Sequence, residues 1–407
     1  MLTVDFTPHE MAAGLRHCRG FVFFDSVTNG AGEHSIIAVE PEWILESEDF
    51  ALLEKELARR SKTTSDRGIP AGAAIGFVSY EGRFCFGFYE DLLIYDHRHQ
   101  QWQGSERILQ KWRSPVDLSP AHRLDFRSST SCAEYCRQVE KAREWISAGD
   151  IYQVNITHEF QANWEGDAFA LFESLRHYSP APYSAFLDLN GTQIISSSPE
   201  LFLKMSGRQI ATRPIKGTRP RASDQERDEL AAYELITSPK EVAELVMITD
   251  LERNDLGQIC EYGSVRVTEL LKLERFEQVF HLVSTVEGEL RAEVSHVAAL
   301  AACFPGGSIT GAPKRRAREI IRELEQRERG LYTGAIGYFG YNGESQFSVA
   351  IRTICKKGSK VTFAVGAGIV ADSVPAKEYQ ETLDKAAGIL LAADRMETQK
   401  AVKTPSA

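Results

Sequence analysis

The chain has 407 residues, of which 43% are hydrophobic and 26% are charged, as in an ordinary globular protein with two or three domain-sized units. Its formal net charge of −10 argues against a nucleic-acid-binding surface, which needs a basic stripe, and against an anionic membrane. The charge does not exclude an anionic substrate, because a local cluster of arginine, lysine or metal can override the global sign.

The cysteine pattern and the N-terminal segment both give information about the cellular compartment of the protein. Seven cysteines, widely spaced and without a Cys-x-x-Cys motif, indicate reduced thiols rather than disulfides or a zinc site. Residues 1–10 lack a basic segment followed by an apolar run, so we expect no signal peptide. The least charged long stretch, residues 294–313, contains a proline and several small residues, unlike a membrane span. We therefore expect a cytoplasmic protein with no nucleic-acid or membrane partner.

The first part of the chain, residues 1–115, is predicted to contain strands and short helices. Residues 20–24, 35–39 and 71–78 have the composition of strands. Residues 112–131 contain two prolines and a serine/threonine cluster, so they are the best candidate for a domain boundary.

A second region, residues 130–392, begins with a clear helix. Ser131 and Glu134 form a capping-box pattern before an amphipathic segment, and Gly149 ends it. Residues 152–157 then alternate apolar and polar side chains, which predicts a strand whose polar face lines solvent or a cleft.

Further periodic segments indicate layers of helices and sheets. One predicted helix begins at Ser238-Pro239, and two others cover residues 312–329 and 375–393. The predicted strands cover residues 334–339, 347–353 and 361–370. Residues 393–407 have the character of a frayed C-terminal tail.

Lys216 is the first candidate for chemistry, in the segment Pro-Ile-Lys-Gly-Thr at residues 214–218. An amine in a partly desolvated pocket loses its proton more easily and can act as a nucleophile. Gly217 would allow a ligand to approach the backbone closely. The alternative interpretation is a surface lysine in a turn, which is the commoner case for a lone lysine.

Two Glu-x-x-Glu segments, Glu241/Glu244 and Glu378/Glu381, lie on two separate predicted helices. Residues three apart share a helix face, so each helix presents two carboxylates on one side. Four carboxylates without histidine or cysteine suit a hard cation such as Mg²⁺. In the alternative interpretation Glu241 only caps its helix and Glu381 pairs with Lys385.

Two glycine-containing segments are candidates for anion binding. Residues 306–314 are predicted to open a helix whose free N–H groups could bind an anion, although a tight turn with a helix cap is an equal alternative. Gly366, Ala367 and Gly368 could expose backbone donors at the end of a strand, but a sharp bend is the better-supported interpretation of that pattern alone.

Arg352 and Glu200 are single candidates in apolar surroundings. Arg352 is predicted inside a strand, where it would either pair with a buried carboxylate or bind a substrate carboxylate at two points. Glu200 follows Ser198-Pro199 and precedes an apolar run, so its carboxyl group could stay protonated and act as a general acid. Its alternative is an exposed loop glutamate.

Taken together, these segments resemble the chorismate-utilising enzymes, which include anthranilate, aminodeoxychorismate, isochorismate and salicylate synthases. The resemblance rests on the order of residues 153–155, 198–200, 214–218, 250–257, 281–284, 306–314, 351–353, 366–368 and 377–381. It is strong over residues 130–392 and looser before them. It implies an α+β fold, a layered α/β sandwich like that of anthranilate synthase component I, with mixed, mostly antiparallel sheets flanked by helices.

The resemblance also implies a role for each candidate. Glu244 and Glu381 would be ligands of Mg²⁺, with Glu241 and Glu378 beside them, and the metal would hold the ring carboxylate of chorismate. Glu200 would protonate the departing 4-hydroxyl group. The enolpyruvyl carboxylate would be held by Arg352, Tyr332 and the backbone of Gly366, Ala367 and Gly368, and the pocket would be lined by Thr310, His281, Gly217, Thr218 and Lys385.

Two positions distinguish the branches of the family. Isochorismate and salicylate formers have a lysine base where this chain has Gln153, which cannot activate water. Anthranilate synthases have alanine where this chain has Lys216, and aminodeoxychorismate synthases have lysine. The resemblance therefore implies amination of chorismate at C4 through a covalent Lys216 intermediate, giving 4-amino-4-deoxychorismate for 4-aminobenzoate and folate biosynthesis.

The implied reaction needs ammonia. No glutaminase pattern is visible in the chain, so a separate glutamine amidotransferase subunit is the expected partner. Two alternatives remain: anthranilate synthase component I, which serves tryptophan biosynthesis, and an inactive scaffold that only binds the amidotransferase.

Overall fold

The computed structural model describes residues 4–26, 34–63, 68–115, 123–276 and 279–396. Its helices are α1 (Pro8–Leu15), α2 (Phe50–Ala58), α3 (Glu106–Leu109), α4 (Cys132–Ser147), α5 (Ala168–Tyr178), α6 (Gln225–Thr237), α7 (Pro239–Gly257), α8 (His296–Cys303), α9 (Lys314–Glu325) and α10 (Pro375–Asp394). The frayed tail predicted at residues 393–407 lies mostly outside the described residues.

The strands, in chain order, are β1 (Val22–Asp25), β2 (His34–Ala38), β3 (Trp43–Ser47), β4 (Ala73–Val78), β5 (Phe84–Tyr89), β6 (Leu93–Asp96), β7 (Gln101–Gly104), β8 (Arg127–Ser128), β9 (Gln153–Asn163), β10 (Tyr183–Leu189), β11 (Thr192–Ser198), β12 (Leu201–Ser206), β13 (Gln209–Arg213), β14 (Ile215–Pro220), β15 (Arg266–Arg275), β16 (Val279–Glu289), β17 (Gly311–Ala312), β18 (Ala335–Gly340), β19 (Glu344–Val349), β20 (Thr353–Lys357) and β21 (Lys360–Ile369).

These strands form two antiparallel sheets. The first has the order β17-β9-β21-β20-β11-β10-β1-β2-β6-β7, with β8 also paired to β9. The second has the order β14-β16-β13-β12-β19-β18-β4-β5-β3, with β15 also paired to β16. Each sheet contains strands from before residue 115 and from after residue 150. The expected α+β fold with mostly antiparallel sheets and flanking helices is confirmed.

Side-chain alternation explains why the two sheets stack. In β1, Val22 packs in a cluster shared with strands of the second sheet, whereas Phe23 packs with α1, α5 and α10 on the outer face. In β5, Cys85 joins the shared cluster and Phe86 faces the outer cluster with α2 and α8. Successive strand residues point to opposite faces, so each sheet buries one face against the other sheet and one against helices.

Two of the points at which the chain passes directly from one sheet to the other lie next to each other. One crossover, from β11 to β12, contains Glu200, and the other, from β19 to β20, contains Arg352. They are joined by hydrogen bonds from the Val349 amide to the Glu200 carbonyl (3.0 Å) and from the Ser197 amide to the Arg352 carbonyl (3.0 Å). Both predicted site residues therefore lie at the junction between the sheets.

The prediction of a single strand over residues 347–353 is wrong, because the strand is interrupted. Arg352 is not inside a strand: it has a φ of +49° and lies between β19 and β20, which belong to different sheets. The backbone has to turn there to change sheets, and the left-handed conformation of Arg352 makes that turn.

All four predicted helices exist, as α4, α7, α9 and α10. The Ser131 and Ser238 side chains accept hydrogen bonds from the amides of Glu134 and Glu241, so both N-terminal caps are confirmed. The predicted helix over residues 312–329 is shorter, because Pro313 precedes α9 and Gln326 ends it with a left-handed φ of +50°.

In β9 the polar face is buried rather than solvated, and Val154 and Ile156 pack against α4 and α9. All seven cysteines are free thiols. Among the described residues, no helix combines the length and the hydrophobicity that crossing a bilayer requires.

Candidate active site

A cavity of about 750 Å³ lies between α7, α10, the β14/β16 edge of the second sheet and β21 of the first. Most of the predicted site residues line it: Glu200, Lys216, Gly217, Thr218, Glu241, Glu244, His281, Tyr332, Arg352, Gly366, Gly368, Glu381 and Lys385. Three lie behind its wall. Thr310 is fully buried and its hydroxyl donates to the Gly306 carbonyl (2.7 Å), the Ala367 methyl packs in the apolar cluster of α4 and α9, and Glu378 is only 3% exposed.

Lys216 is held inside this cavity by β14, which pairs with β16. Its side chain is 16% exposed, and its Nζ lies 3.4 Å from Glu244 Oε2. A Cβ atom on Gly368 would lie 3.5 Å from the same Nζ and 2.2 Å from Gln153 Nε2, so only glycine leaves this space open. The alternative of a surface lysine is therefore wrong.

Gly217 has a different purpose from the one expected. It has a φ of +72°, and a Cβ atom there would lie 2.5 Å from Leu235 Cδ1 and 3.1 Å from Glu241 Oε2. The glycine is thus required by the backbone conformation and by the close packing of α6 and α7. This packing directs Lys216 toward Glu244.

Glu200 occupies the β11–β12 crossover and is 6% exposed. Burial raises the pKa of its carboxyl group to about 7, against the opposing effects of a hydrogen bond from Ser308 and the charge of Lys216. The carboxyl group can therefore keep its proton near neutral pH, as a general acid must. The alternative of an exposed loop glutamate is wrong.

Arg352 presents a positive charge to the cavity from the other crossover. Burial is the cause that lowers the pKa of its guanidinium, and no carboxylate of the described residues acts on that pKa or forms an ion pair with the guanidinium. A desolvated guanidinium without a counter-ion is suited to bind a carboxylate through two parallel hydrogen bonds. Of the two expectations for Arg352, the geometry favours ligand binding.

His281 and Thr218 form one polar pair on the cavity wall. Thr218 Oγ1 and His281 Nδ1 are 3.0 Å apart. Burial, followed by the charge of Arg352, lowers the pKa of His281 to about 4. The imidazole is therefore neutral at physiological pH and can exchange hydrogen bonds with a ligand without adding charge.

The four glutamates of the two Glu-x-x-Glu segments surround lysine side chains. Glu381 Oε1 lies 2.8 Å from Lys385 Nζ, which also donates to the Gly366 carbonyl (2.9 Å). Glu241 Oε1 lies 3.7 Å from Arg219 Nη1, and burial followed by the charge of Glu244 raises the pKa of Glu241. Burial acts to raise the pKa of Glu381, but the charge and hydrogen bond of Lys385 lower it overall.

The fit of these residues to a divalent cation rests on two carboxylate oxygens. Glu244 Oε1 and Glu378 Oε2 are buried and have no hydrogen-bond partner in the described structure. Buried oxygens of this kind are normally satisfied, and Mg²⁺ prefers carboxylate oxygens. Among the described residues, no group of three or more acidic, histidine or cysteine side chains lies close enough together, as the side chains stand, to hold an ion. Metal binding would therefore require side chains to move.

The prediction that residues 306–314 open a helix as an anion site is wrong. Helix α9 begins only at Lys314, and Gly311 and Ala312 instead form β17, which pairs with β9. The Gly307 amide donates to Glu252 Oε1 (3.1 Å), so it is not free for an anion. The segment instead places Ser308 against Glu200.

The sharp bend predicted for residues 366–368 is also absent. These residues lie within β21 and pair continuously with β9. Their glycines are needed for space, since a Cβ atom on Gly366 would lie 2.8 Å from Asn155 Oδ1.

Sequence reasoning missed several residues that line the cavity, among them Asn155, Ser308 and Lys240. Lys240 could have been found, because its i,i+4 spacing to Glu244 places both on one face of α7. Ser308 lies within the segment of residues 306–314 that the sequence analysis singled out, but its own role could not be predicted, since its contact with Glu200 joins distant parts of the chain.

Comparisons with known proteins agree with this geometry. The family described as chorismate binding enzyme matches residues 21–391. Aminodeoxychorismate synthase component 1 of Bacillus subtilis is 38% identical over 371 residues, covering 82% of this chain and 79% of that protein. An anthranilate synthase component 1 of Haloarcula marismortui is 45% identical over 274 residues, covering 67% of this chain but only 54% of that protein.

The solved structure of anthranilate synthase component I from Streptococcus pneumoniae superposes with a TM-score of 0.77 at 30% identity, covering 88% of this chain and 92% of that one. Sequence, fold and cavity thus lead to one assignment: the chain belongs to the chorismate-binding enzyme family.

Proposed function

We propose that this protein aminates chorismate at C4 to give 4-amino-4-deoxychorismate. The observation that carries the proposal is the position of Lys216, whose amine lies inside the cavity beside Glu244 and Gly368. A lysine there fills space that ammonia would need for a direct attack at C2. In this proposal the same amine acts as the nucleophile itself.

Substrate binding would use both sides of the cavity. Arg352 would bind the enolpyruvyl carboxylate, assisted by Tyr332 and the neutral His281–Thr218 pair. Mg²⁺, held by Glu244 and Glu381 with Glu241 and Glu378 beside them, would supply positive charge opposite the ring carboxylate when bound.

The chemistry would proceed in two displacement steps. The Lys216 amine forms a bond to C2, the ring double bond shifts, and the C4–oxygen bond breaks as Glu200 protonates the departing hydroxyl group to water. Ammonia then forms a bond to C4, the double bond shifts back, and the bond between C2 and Lys216 breaks to restore the amine. The nitrogen added at C4 gives up one proton, which restores the acidic form of Glu200. The enolpyruvyl group is retained throughout.

The proposal includes a source of ammonia and a cellular setting. A separate glutamine amidotransferase subunit would deliver ammonia, in a cytoplasmic pathway to 4-aminobenzoate and folate. A pull-down with a candidate amidotransferase, followed by glutamine-dependent turnover, tests this part independently of the Lys216 chemistry.

Mass spectrometry of the intact protein tests the central step. After incubation with chorismate and Mg²⁺ without ammonia, we expect an adduct of chorismate minus water on Lys216, located by peptide mapping. Lys216→Ala should show no adduct, and Lys360→Ala, which removes an exposed lysine, should behave as the wild type. An active enzyme that forms 4-amino-4-deoxychorismate without any adduct would refute the covalent route.

The alternative is anthranilate synthase activity, which is favoured by the 45% identity to the Haloarcula anthranilate synthase component 1. Incubation with chorismate, Mg²⁺ and ammonium distinguishes the two. A fluorescent aromatic product that forms without an added lyase would establish the alternative, whereas our proposal requires a non-aromatic product. An absence of chorismate consumption under saturating ammonium would instead indicate an inactive scaffold.

A further inference from the structure

Lys240 is a cation at the centre of the acidic side of the cavity. It lies in the first turn of α7, next to Glu241 in the chain. Its Nζ is 3.5 Å from Glu378 Oε1 on α10 and 4.0 Å from Glu244 Oε1 on its own helix. The ammonium group therefore lies between carboxylates of both helices.

The charge environment of Lys240 is dominated by the predicted metal ligands. Partial burial acts to lower the pKa of Lys240, but Glu378, Glu244, Glu381 and Glu241, in that order, raise it overall. All four glutamates of the two Glu-x-x-Glu segments thus act on this one ammonium group. Lys216 also contacts Glu244, at the opposite carboxylate oxygen.

The two carboxylates beside Lys240 each keep one unsatisfied oxygen. Glu378 and Glu244 are 3% and 8% exposed, and Glu378 Oε2 and Glu244 Oε1 have no hydrogen-bond partner among the described residues. Ionised carboxylates buried this deeply are costly without a cation nearby. Lys240 supplies part of that compensation, but its Nζ lies 4.0 Å from Glu244 Oε1 and faces the other oxygen of Glu378, Oε1, at 3.5 Å, so it hydrogen-bonds to neither unsatisfied oxygen.

Lys240 differs from Lys216 in its freedom to leave. The Lys240 side chain is 49% exposed, whereas that of Lys216 is 16% exposed. A lysine side chain is long and flexible and readily extends its ammonium group into water. Rotation of Lys240 toward solvent would leave the space between Glu244 and Glu378 open to another cation.

We propose that Lys240 is a tethered counter-ion, which holds Glu244 and Glu378 together without metal and has to move out before a divalent cation can bind between the two helices. This inference rests on the proposed magnesium site. Lys240 then competes with the metal and weakens its apparent affinity. It also stabilises the metal-free protein against repulsion between α7 and α10.

Lys240→Met tests the inference, because methionine keeps most of the side-chain volume without the charge. The matched control is Lys377→Met, since Lys377 precedes Glu378 as Lys240 precedes Glu241 and is likewise exposed, but forms no ion pair with a carboxylate of the described residues. Isothermal titration calorimetry of the full chain with Mg²⁺ and with Mn²⁺, without substrate, measures the affinity directly. Melting temperatures with and without metal measure the compensation in the free protein.

For Lys240→Met we expect metal affinity to rise by at least about tenfold, because a Coulombic competitor at about 4 Å has been removed. The melting temperature without metal should fall, and its rise on adding Mg²⁺ should be larger than in the wild type. Lys240→Arg, which keeps the charge, should bind metal within about threefold of the wild type, and Lys377→Met should change neither measurement.

The outcomes separate this inference from the proposed metal site. If the wild type binds Mg²⁺ and Lys240→Met binds it equally or more weakly, Lys240 is not a competitor and only the inference is overturned. If the wild type and Lys240→Met both fail to bind Mg²⁺ and Mn²⁺, the magnesium site itself is wrong and the inference is overturned with it.

Discussion

The two sides of the cavity are built in different ways. On the sheet side, Glu200 and Arg352 lie on crossovers that are hydrogen-bonded to each other and packed between two sheets. On the helix side, Glu244 and Glu381 project from α7 and α10 and are paired with lysines. The comparison indicates a rigid side for recognising the substrate and protonating its leaving group, and an adjustable side whose charges are compensated until a cation binds.

Lys216 joins the two sides, and its replacement should have the largest effect. In Lys216→Ala we expect the rate of C4 amination to fall by at least about a thousandfold, because the nucleophile is lost. Chromatography of the products measures this rate. Amination at C2 instead of C4 in this variant would show that Lys216 decides the position of attack, since alanine leaves room for ammonia to reach C2. Glu244 keeps Lys240 nearby, so the melting temperature should fall by no more than a few degrees. Near-normal C4 amination would contradict the proposed mechanism.

Arg352→Lys tests the rigid side. Lysine retains the charge but cannot make two parallel hydrogen bonds to a carboxylate, so we expect a loss of about 1.5–3 kcal/mol in substrate binding, or roughly 10–150-fold in KM. Steady-state kinetics with chorismate measures it, and Arg253→Lys, on the exposed face of α7, is the matched control. An unchanged KM would remove Arg352 from the substrate site.

Glu244→Gln tests the adjustable side. Loss of a ligand charge should raise the Mg²⁺ concentration for half-maximal activity by at least about tenfold, since even outer-shell substitutions cost that much. Glu234→Gln on the exposed face of α6 should leave the titration unchanged. A metal titration identical to that of the wild type would exclude Glu244 as a ligand.

The smallest predicted effect concerns pH. Because the pKa of Glu200 is raised to about 7, its acidic form is present below that pH and is lost above it, so kcat should fall as pH rises through about 7. The Ser308 hydrogen bond lowers this pKa, so in Ser308→Ala the fall should move to higher pH by up to about one unit. A pH profile that is flat from 6 to 9 would contradict a general-acid role of Glu200.

The helix side was largely predictable from sequence because its signals are local. The capping residue Ser238 and the i,i+3 spacing of Glu241 and Glu244 are contained within the first two turns of α7. Lys240 was overlooked there, although its spacing to Glu244 carried the information.

The sheet side was less predictable, because sheet membership depends on partners far apart in the chain. Residues 347–353 have a continuous strand pattern, yet the structure divides them between two sheets at Arg352. The glycines of residues 306–314 were expected to start a helix, but pairing with β9 converts part of them into β17. Glu200 and Arg352 were identified as candidates from the sequence. Their position side by side on two crossovers between the sheets was not predicted.

The stacking of the two sheets has a consequence for how the chain can be divided. Every candidate site residue lies between residues 153 and 385, but β1, β2, β4 and β5 supply much of the interior cluster between the sheets, which also contains Ile194 of β11 and Ala350 of the β19–β20 crossover. A fragment starting near residue 130 would keep all of the chemistry and lose the support that fixes its acid and its guanidinium. The early strands, which contribute no side chain to those roles, thus act as the foundation of the reaction centre.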